Sequence, residues 1–229
     1  MAIGMPPETE RHRYRVPVCF ATQSGGTTID CDSEGGNPFA TALIELSSTL
    51  DVGIADFPKS LCELTAKLSQ DRQTPEWVGG EPGVDWRISH PSIGPRNRRT
   101  ALVLIVSDYG ASGSASLDGA AWDELRVSAM LARNGFSVTQ GVGPARGDLL
   151  AALDAFGEAS RESDLAVIYS TGHGYESGGN VYLLPGDYPA GNGFTAEELT
   201  RSAIDIARLA EVCSARILNL VFFAGCRTT

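Results

Sequence analysis

The sequence lacks any apolar run of the roughly eighteen residues that a membrane-spanning helix needs. Its first residues, MAIGMPPETERHRYR, also lack the apolar core of a secretory signal peptide. These two absences predict a protein that does not span a membrane and that resides in the cytoplasm.

Positive charge is scarce: 18 lysines and arginines face 28 aspartates and glutamates, which gives a formal net charge of -10. Such a surface repels the phosphate backbone, so nucleic acid is not expected as a partner. A basic peptide or protein would instead be attracted.

Cysteine is neither abundant nor regularly spaced. There are five cysteines and no C-x-x-C pair. The odd number argues against a disulfide framework, and the spacing argues against a zinc site. No metal and no cofactor are predicted from these residues.

What is present is an alternation of buried strands and helices in the second half of the chain. Apolar runs predict strands at Thr100–Tyr109, 164–174 and 215–226, and a shorter strand at 136–143. Helices are predicted between them, over 117–136, 146–163 and 195–213. In the first of these helices, the spacing predicts a buried stripe of Leu117, Ala121, Leu125, Ala129 and Ala132. The alternation predicts an α/β fold with a mostly parallel sheet.

The first half of the chain does not show this regular alternation. Its sequence predicts a strand at Tyr14–Gln23, a polar loop, helices over 37–50 and 56–70, and an edge strand at Val84–His90. Pro91–Arg99 is a linker rich in proline, glycine and arginine, and residues 1–13 are an N-terminal tail.

Two strand ends carry candidate chemistry, in the stretches AVIYSTGHG and NLVFFAGCR. His173 and Cys226 lie where active sites form, beyond the carboxyl ends of parallel strands. If these strands are neighbours, the imidazole and the thiol face each other, which is how a cysteine nucleophile is activated. His173 is one of only three histidines, and it alone ends a buried strand. Glycines flank both residues, and Gly174 leaves room for a substrate carbonyl.

YSTGHG and VFFAGCR resemble the histidine and cysteine motifs of the caspase-like cysteine peptidases: caspases, metacaspases and their bacterial relatives. The resemblance implies that Cys226 is the nucleophile and His173 the general acid and base. It also implies an oxyanion hole formed by the backbone N–H groups of Gly174 and Cys226. The implied reaction is peptide-bond hydrolysis through an acyl-enzyme.

The same resemblance extends to the first half, where VCFATQSGGTTIDCDSEGGNPFATALIELSS resembles the fifth strand, specificity loop and next helix of bacterial caspase relatives. The small half of the domain therefore precedes the large half. The expected fold is a circularly permuted, caspase-haemoglobinase-like three-layer sandwich whose six-stranded, mostly parallel sheet has an antiparallel edge strand. Residues 14–229 would form one domain, divided into 14–90 (small half), 91–99 (linker) and 100–229 (large half).

Specificity is predicted from acidic residues near the site. The positions where Asp-specific caspases carry pocket arginines hold none here, whereas Asp108 follows the first large-half strand. Asp30 and Asp32 follow Gln23 and Ser24 in the specificity loop, so these residues are expected to contact substrate. A basic residue, Arg or Lys, is therefore expected before the scissile bond. Glu176 and Asp187 alone are too few for a metacaspase-like calcium site, so no calcium requirement is expected.

Two alternatives remain open at this point. A catalytically silent member of the same fold could serve as a binding or scaffold module. SDYGASGSASLDG also places glycines between a strand and a helix, as in a nucleotide-binding domain, but it lacks the G-x-G-x-x-G spacing. The oligomeric state stays open.

Overall fold

The computed structural model describes residues 14–33, 35–47, 57–79, 96–141, 143–189, 191 and 193–229. The helices in these ranges are α1 (Pro38–Ser47), α2 (Phe57–Leu68), α3 (Asp118–Arg133), α4 (Arg146–Arg161), α5 (Ala196–Ser202) and α6 (Ile206–Val212). The strands are β1 (Val18–Phe20), β2 (Glu76–Val78), β3 (Arg99–Ile105), β4 (Ser137–Gln140), β5 (Leu165–Thr171), β6 (Gly174–Ser177), β7 (Asn180–Leu183), β8 (Ile204–Asp205) and β9 (Leu218–Phe223).

The main sheet has six strands in the order β2-β1-β9-β5-β3-β4. All neighbours are parallel except β2, which pairs antiparallel with β1 and forms one edge. A second sheet has three antiparallel strands in the order β6-β7-β8. Among the strands of the described ranges, the first along the chain, β1, therefore lies directly beside the last, β9.

Two apolar clusters, one on each face of the main sheet, make the three layers. In one cluster, strand side chains on one face of the sheet pack against α4 and α6, through residues such as Leu153, Phe156 and Leu209. The other joins the opposite residues to α1, α2 and α3. The central strands β3, β5 and β9 are buried on both faces, which explains why they read as continuous apolar runs.

The predicted inner stripe of α3 is wrong. Ala121 and Leu125 are exposed, with Leu125 at 60 %, and the buried face instead contains Ala120, Val127, Met130 and Leu131. The same buried face carries Asp123, which is fully buried. The spacing of apolar residues assigned the wrong face of α3 to the core, because polar residues normally lie on the solvent side of a helix and Asp123 lies on the buried side.

The helix predicted over 195–213 is two short helices separated by β8. Thr195 begins the first one as expected, since its side chain accepts a hydrogen bond from the Glu198 backbone N–H. Ala203 is extended, with φ -102° and ψ -179°, and the Asp205 side chain then caps the second helix through the Ala207 N–H. The apolar spacing over 195–213 is helical throughout, but the strand β8 and the cap at Asp205 divide the segment into two helices.

In the first half, α1 begins at Pro38, a residue whose fixed φ suits the first position of a helix. The antiparallel edge strand of the main sheet is β2, which pairs with β1. Four predicted segments lie wholly or partly outside the described residues. They are the strand at Val84–His90, most of the Pro91–Arg99 linker, the tail 1–13 and the end of the helix over 37–50.

Candidate active site

The carboxyl ends of β5 and β9 lie side by side, because these two central strands of the main sheet are parallel neighbours. The strands pair in parallel up to Ser170 and Phe223, and the Ala224 N–H donates to the Ser170 carbonyl at 2.8 Å. Beyond this point the two chains approach closely: a Cβ at Gly174 would lie 2.1 Å from the Cys226 carbonyl oxygen. Glycine at 174 is therefore required for the His173 and Cys226 segments to lie side by side.

His173 is held by Tyr109 and Ala115. The Tyr109 and His173 rings are 4.3 Å apart, and the His173 backbone N–H donates to the Tyr109 hydroxyl at 2.7 Å. The imidazole Nε2 lies 2.8 Å from the Ala115 carbonyl oxygen. Because a carbonyl can only accept, this hydrogen bond places a proton on Nε2 and leaves Nδ1 for another partner.

Tyr109 is itself fixed in the core. Its hydroxyl donates to the Leu184 carbonyl at 2.9 Å, and the Leu184 N–H donates to the His173 carbonyl at 2.9 Å. Burial raises the pKa of Tyr109 well above its usual range, so the hydroxyl stays protonated and remains a donor. Tyr109 and Ala115 follow β3 far from His173 in the chain, and no sequence pattern identified either of them.

Cys226 is half-buried under the loop that follows β1. Its sulfur accepts a hydrogen bond from the Thr28 N–H at 3.3 Å and lies 3.4 Å from the Thr28 hydroxyl. The same loop pairs with Arg227, through Gly25 N–H to the Arg227 carbonyl and Arg227 N–H to the Gly26 carbonyl, both at 2.9 Å.

Buried Gln73 supports this loop from beneath. Its side-chain oxygen accepts from the Ile29 N–H at 2.8 Å, and its side-chain amide donates to the Ala21 carbonyl at 3.4 Å. Neither Thr28 nor Gln73 was identified from the sequence.

Comparison with protein families gives one decisive match. Residues 98–227 match the family model described as a caspase domain, which is more than half of the chain. The chain belongs to the caspase-domain family. No curated protein matches the chain significantly. Membership of this family, together with the layered mixed sheet, makes the fold a caspase-like α/β sandwich and implies a peptide or protein substrate.

In this caspase domain, the residue after the cysteine anchors two carboxylates. The Arg227 side chain is 3 % exposed; its Nε donates to Glu176 at 2.9 Å, and Nη1 contacts the Glu76 carboxylate. The guanidinium also stacks over the Phe20 ring, 4.5 Å from its centre. The second Glu176 oxygen accepts from Ser24 at 2.8 Å. Ser24, predicted to contact substrate, is thus bound to this cluster, which links β1, β2, β6 and the end of β9.

The remaining predicted pocket residues lie in two environments. Asp108 is exposed, and its Oδ1 accepts from the Gly110 N–H at 2.9 Å. Gln23 is also exposed. By contrast, the Asp30 carboxylate accepts from the N–H groups of Gly119 and Ala120, at 3.0 and 3.1 Å. Asp30 therefore satisfies the first turn of α3, whose own N-cap residue makes no side-chain cap.

A buried polar network lies behind the cysteine strand. Asp123 accepts from the Asn37 N–H at 3.1 Å and the Tyr169 hydroxyl at 3.3 Å, and pairs with Arg126 at 3.7 Å. The Asn37 side chain donates to the Ala224 carbonyl at 3.5 Å, two residues before Cys226. Burial raises the pKa of Asp123 to about 7, against the opposing effects of the Asn37 N–H and Arg126.

Within the described ranges, no group of three or more His, Cys, Asp or Glu side chains is arranged to hold a metal ion. No helix in the same ranges is long and apolar enough to cross a membrane.

Proposed function

We propose that this caspase domain is a cysteine endopeptidase in which Cys226 is the nucleophile and His173 is the general acid and base. The observation that carries the proposal is the His173 Nε2 contact with Ala115, since it orients the ring and leaves Nδ1 for the thiol. A histidine oriented by a third group beside a nucleophile is the arrangement that covalent catalysis requires.

In this mechanism, His173 accepts the thiol proton and the Cys226 sulfur attacks the substrate carbonyl carbon. The oxyanion is bound by the backbone N–H groups of Gly174 and Cys226. Collapse of the intermediate breaks the peptide bond, and His173 gives its proton to the leaving amine. Water, activated by His173, then hydrolyses the thioester and releases the acid.

The proposed substrate has Arg or Lys before the scissile bond. Asp108 supports this proposal: it is exposed, and one of its oxygens makes no hydrogen bond within the described part of the chain. The formal charge of -10 also favours a basic substrate. Gln23 and Ser24 lie in the loop proposed to line the same pocket. Asp30 contributes indirectly, by fixing that loop to α3.

We also propose that the domain is circularly permuted, with the small half at 14–90 and the large half at 100–229. The family match begins at residue 98, yet β1 and β2 complete the same sheet beside β9. The antiparallel pairing of β2 supports its assignment as the edge strand of the small half.

A catalytically silent binding module is the second candidate. The observation that favours it is the Thr28 cover over Cys226, because an N–H and a hydroxyl already occupy the surroundings of the sulfur. An active enzyme must then move this loop when substrate binds.

The deciding experiment is cleavage-site mapping with a mixed peptide library, using wild type, Cys226→Ala, His173→Ala and Asp108→Asn. We expect cuts after Arg and Lys that disappear in the first two variants. Asp108→Asn should lower kcat/KM for basic peptides and leave folding unchanged. Cuts after Asp or neutral residues would refute the basic preference, and the absence of Cys226-dependent cleavage would favour the silent module.

A further inference from the structure

Three aromatic rings stack beside the candidate active site: Tyr175, Tyr188 and Phe194, called here the aromatic platform. The Phe194 ring lies 4.6 Å from Tyr175 and 5.7 Å from Tyr188, at interplanar angles of 18° and 8°. Phe194 is nevertheless 41 % exposed. A phenylalanine that is stacked and yet exposed presents a preformed apolar surface to solvent.

The platform is anchored on its inner side by the buried Tyr188. Tyr188 is only 2 % exposed, and its hydroxyl donates to the Gly193 carbonyl at 3.0 Å, next to Phe194. Leu184, which lies between β7 and Tyr188, donates its N–H to the His173 carbonyl at 2.9 Å. The stretch between β7 and Tyr188 is therefore hydrogen-bonded to the candidate general acid.

The platform also borders the cysteine strand. Tyr175 is the second residue after His173, and it bridges to Thr228, the second residue after Cys226. The adjacent Glu176 N–H donates to the Thr228 carbonyl at 2.8 Å. Because Glu176 points inward to Arg227, strand alternation turns Tyr175 to the outer face, where Phe194 stacks on it.

The chemistry of the site tells which part of a substrate would meet this surface. A general acid must reach the leaving amine, so the chain after the scissile bond lies on the histidine side of the cysteine. We propose that Tyr175 and Phe194 form a subsite for an aromatic or large apolar side chain within three residues after the scissile bond. This inference rests on the proposed peptidase function and adds a second specificity element to the basic residue before the bond.

The first test uses peptides that are identical up to an Arg before the cut and differ only after it. One series carries Phe at the first, second or third following position, with Ala elsewhere, and the reference carries Ala throughout. A third substrate ends in a glycinamide leaving group and cannot reach the platform. We expect one Phe position to raise kcat/KM by about tenfold over the Ala reference. Phe194→Ala should abolish that preference without changing glycinamide cleavage.

Control variants separate the subsite from general effects. Phe194→Tyr keeps the ring and should keep the preference. Ile217→Ala removes another exposed apolar side chain, 55 % exposed and located before β9 at the opposite end of the strand, and should change nothing. Circular dichroism of Phe194→Ala checks that the fold is intact.

A binding measurement keeps the inference testable without turnover. In Cys226→Ala, a fluorescent peptide with the preferred Phe should bind about tenfold more tightly than its Ala counterpart. Adding Phe194→Ala should remove the difference. Glycinamide cleavage with no Phe preference in either assay would overturn the subsite and leave the peptidase proposal standing. A Phe194-dependent binding difference with no cleavage by wild type would overturn the peptidase proposal and reduce the platform to a peptide-binding surface. The absence of both cleavage and a binding difference would refute both proposals.

Discussion

The Cys226 sulfur lies 3.3 Å from the backbone nitrogen of Thr28, a residue 198 positions earlier in the chain. The loop after β1 therefore covers the end of β9 and sets access to the thiol. Thr28→Gly should speed alkylation of Cys226 by iodoacetamide, because it removes the hydroxyl beside the sulfur. Mass mapping of the Cys226 peptide separates this signal from exposed Cys31. The neighbouring Thr27→Gly serves as control. Equal alkylation rates in both variants would contradict the proposal that Thr28 covers the Cys226 sulfur.

Gly174→Ala should destabilise the protein by about 1–3 kcal/mol, the usual cost of overpacking. A Cβ at this position would lie 2.1 Å from the Cys226 carbonyl and 3.0 Å from the Phe223 ring, so the two strand ends must separate. Urea unfolding measures the loss, and peptide cleavage should fall with it. Gly147→Ala in α4 is the matched control, since nothing lies within 4 Å of its Cβ. Equal stabilities for the two variants would show that the site tolerates the extra methyl group.

Arg227→Met should destabilise the fold by about 3–5 kcal/mol, because it leaves the Glu176 and Glu76 carboxylates buried without their cation. The side chains of these two glutamates are only 6 % and 18 % exposed. The triple variant Arg227→Met, Glu176→Gln, Glu76→Gln removes the stranded charges and should regain much of the loss. Thermal unfolding of the single and triple variants tests this. If the triple variant is as unstable as Arg227→Met, the loss of stability comes from packing alone.

Asp123 should make stability depend on pH. Its folded pKa is about 7, and an unfolded aspartate titrates near 3.9, so the folded state holds the proton more tightly. The stabilisation is complete below about pH 4 and is lost as the pH rises to about 7. The difference in unfolding free energy between wild type and Asp123→Asn should fall by on the order of 4 kcal/mol from pH 4 to pH 8.

Urea denaturation at several pH values measures this difference. Glu158→Gln is the control, because the Glu158 side chain is 78 % exposed and its removal should leave the pH curve parallel to that of wild type. A parallel curve for Asp123→Asn would show that Asp123 is ionised in the folded state throughout.

Peptide cleavage should not require calcium. Glu176 and Asp187, the carboxylates considered for the ion, are engaged: Glu176 with Arg227 and Ser24, and Asp187 with the Arg146 N–H at 2.9 Å. Cleavage rates should therefore be equal with EDTA and with added calcium. Activity that EDTA abolishes and calcium restores would identify a site that these contacts do not reveal.

Local sequence determined the elements that are buried along nearly their whole length. Strands β3, β5 and β9 are apolar on both faces, so their runs identified a parallel sheet without any knowledge of partners. Strand ends followed by glycines then placed His173 and Cys226 at one edge of that sheet, and the pairing of β5 with β9 makes those ends neighbours.

Only the tertiary structure decided what surrounds them. The inner face of α3 contains a buried aspartate, whose polar partners are Asn37, just before α1, and Tyr169 of β5, so no local period could identify it. Thr28, Gln73, Tyr109 and the Glu76–Arg227 pair likewise act across long separations in the chain. Hydrophobic periodicity reports whether a residue is buried, whereas hydrogen bonds and ion pairs depend on which distant groups the fold brings within about 3 Å.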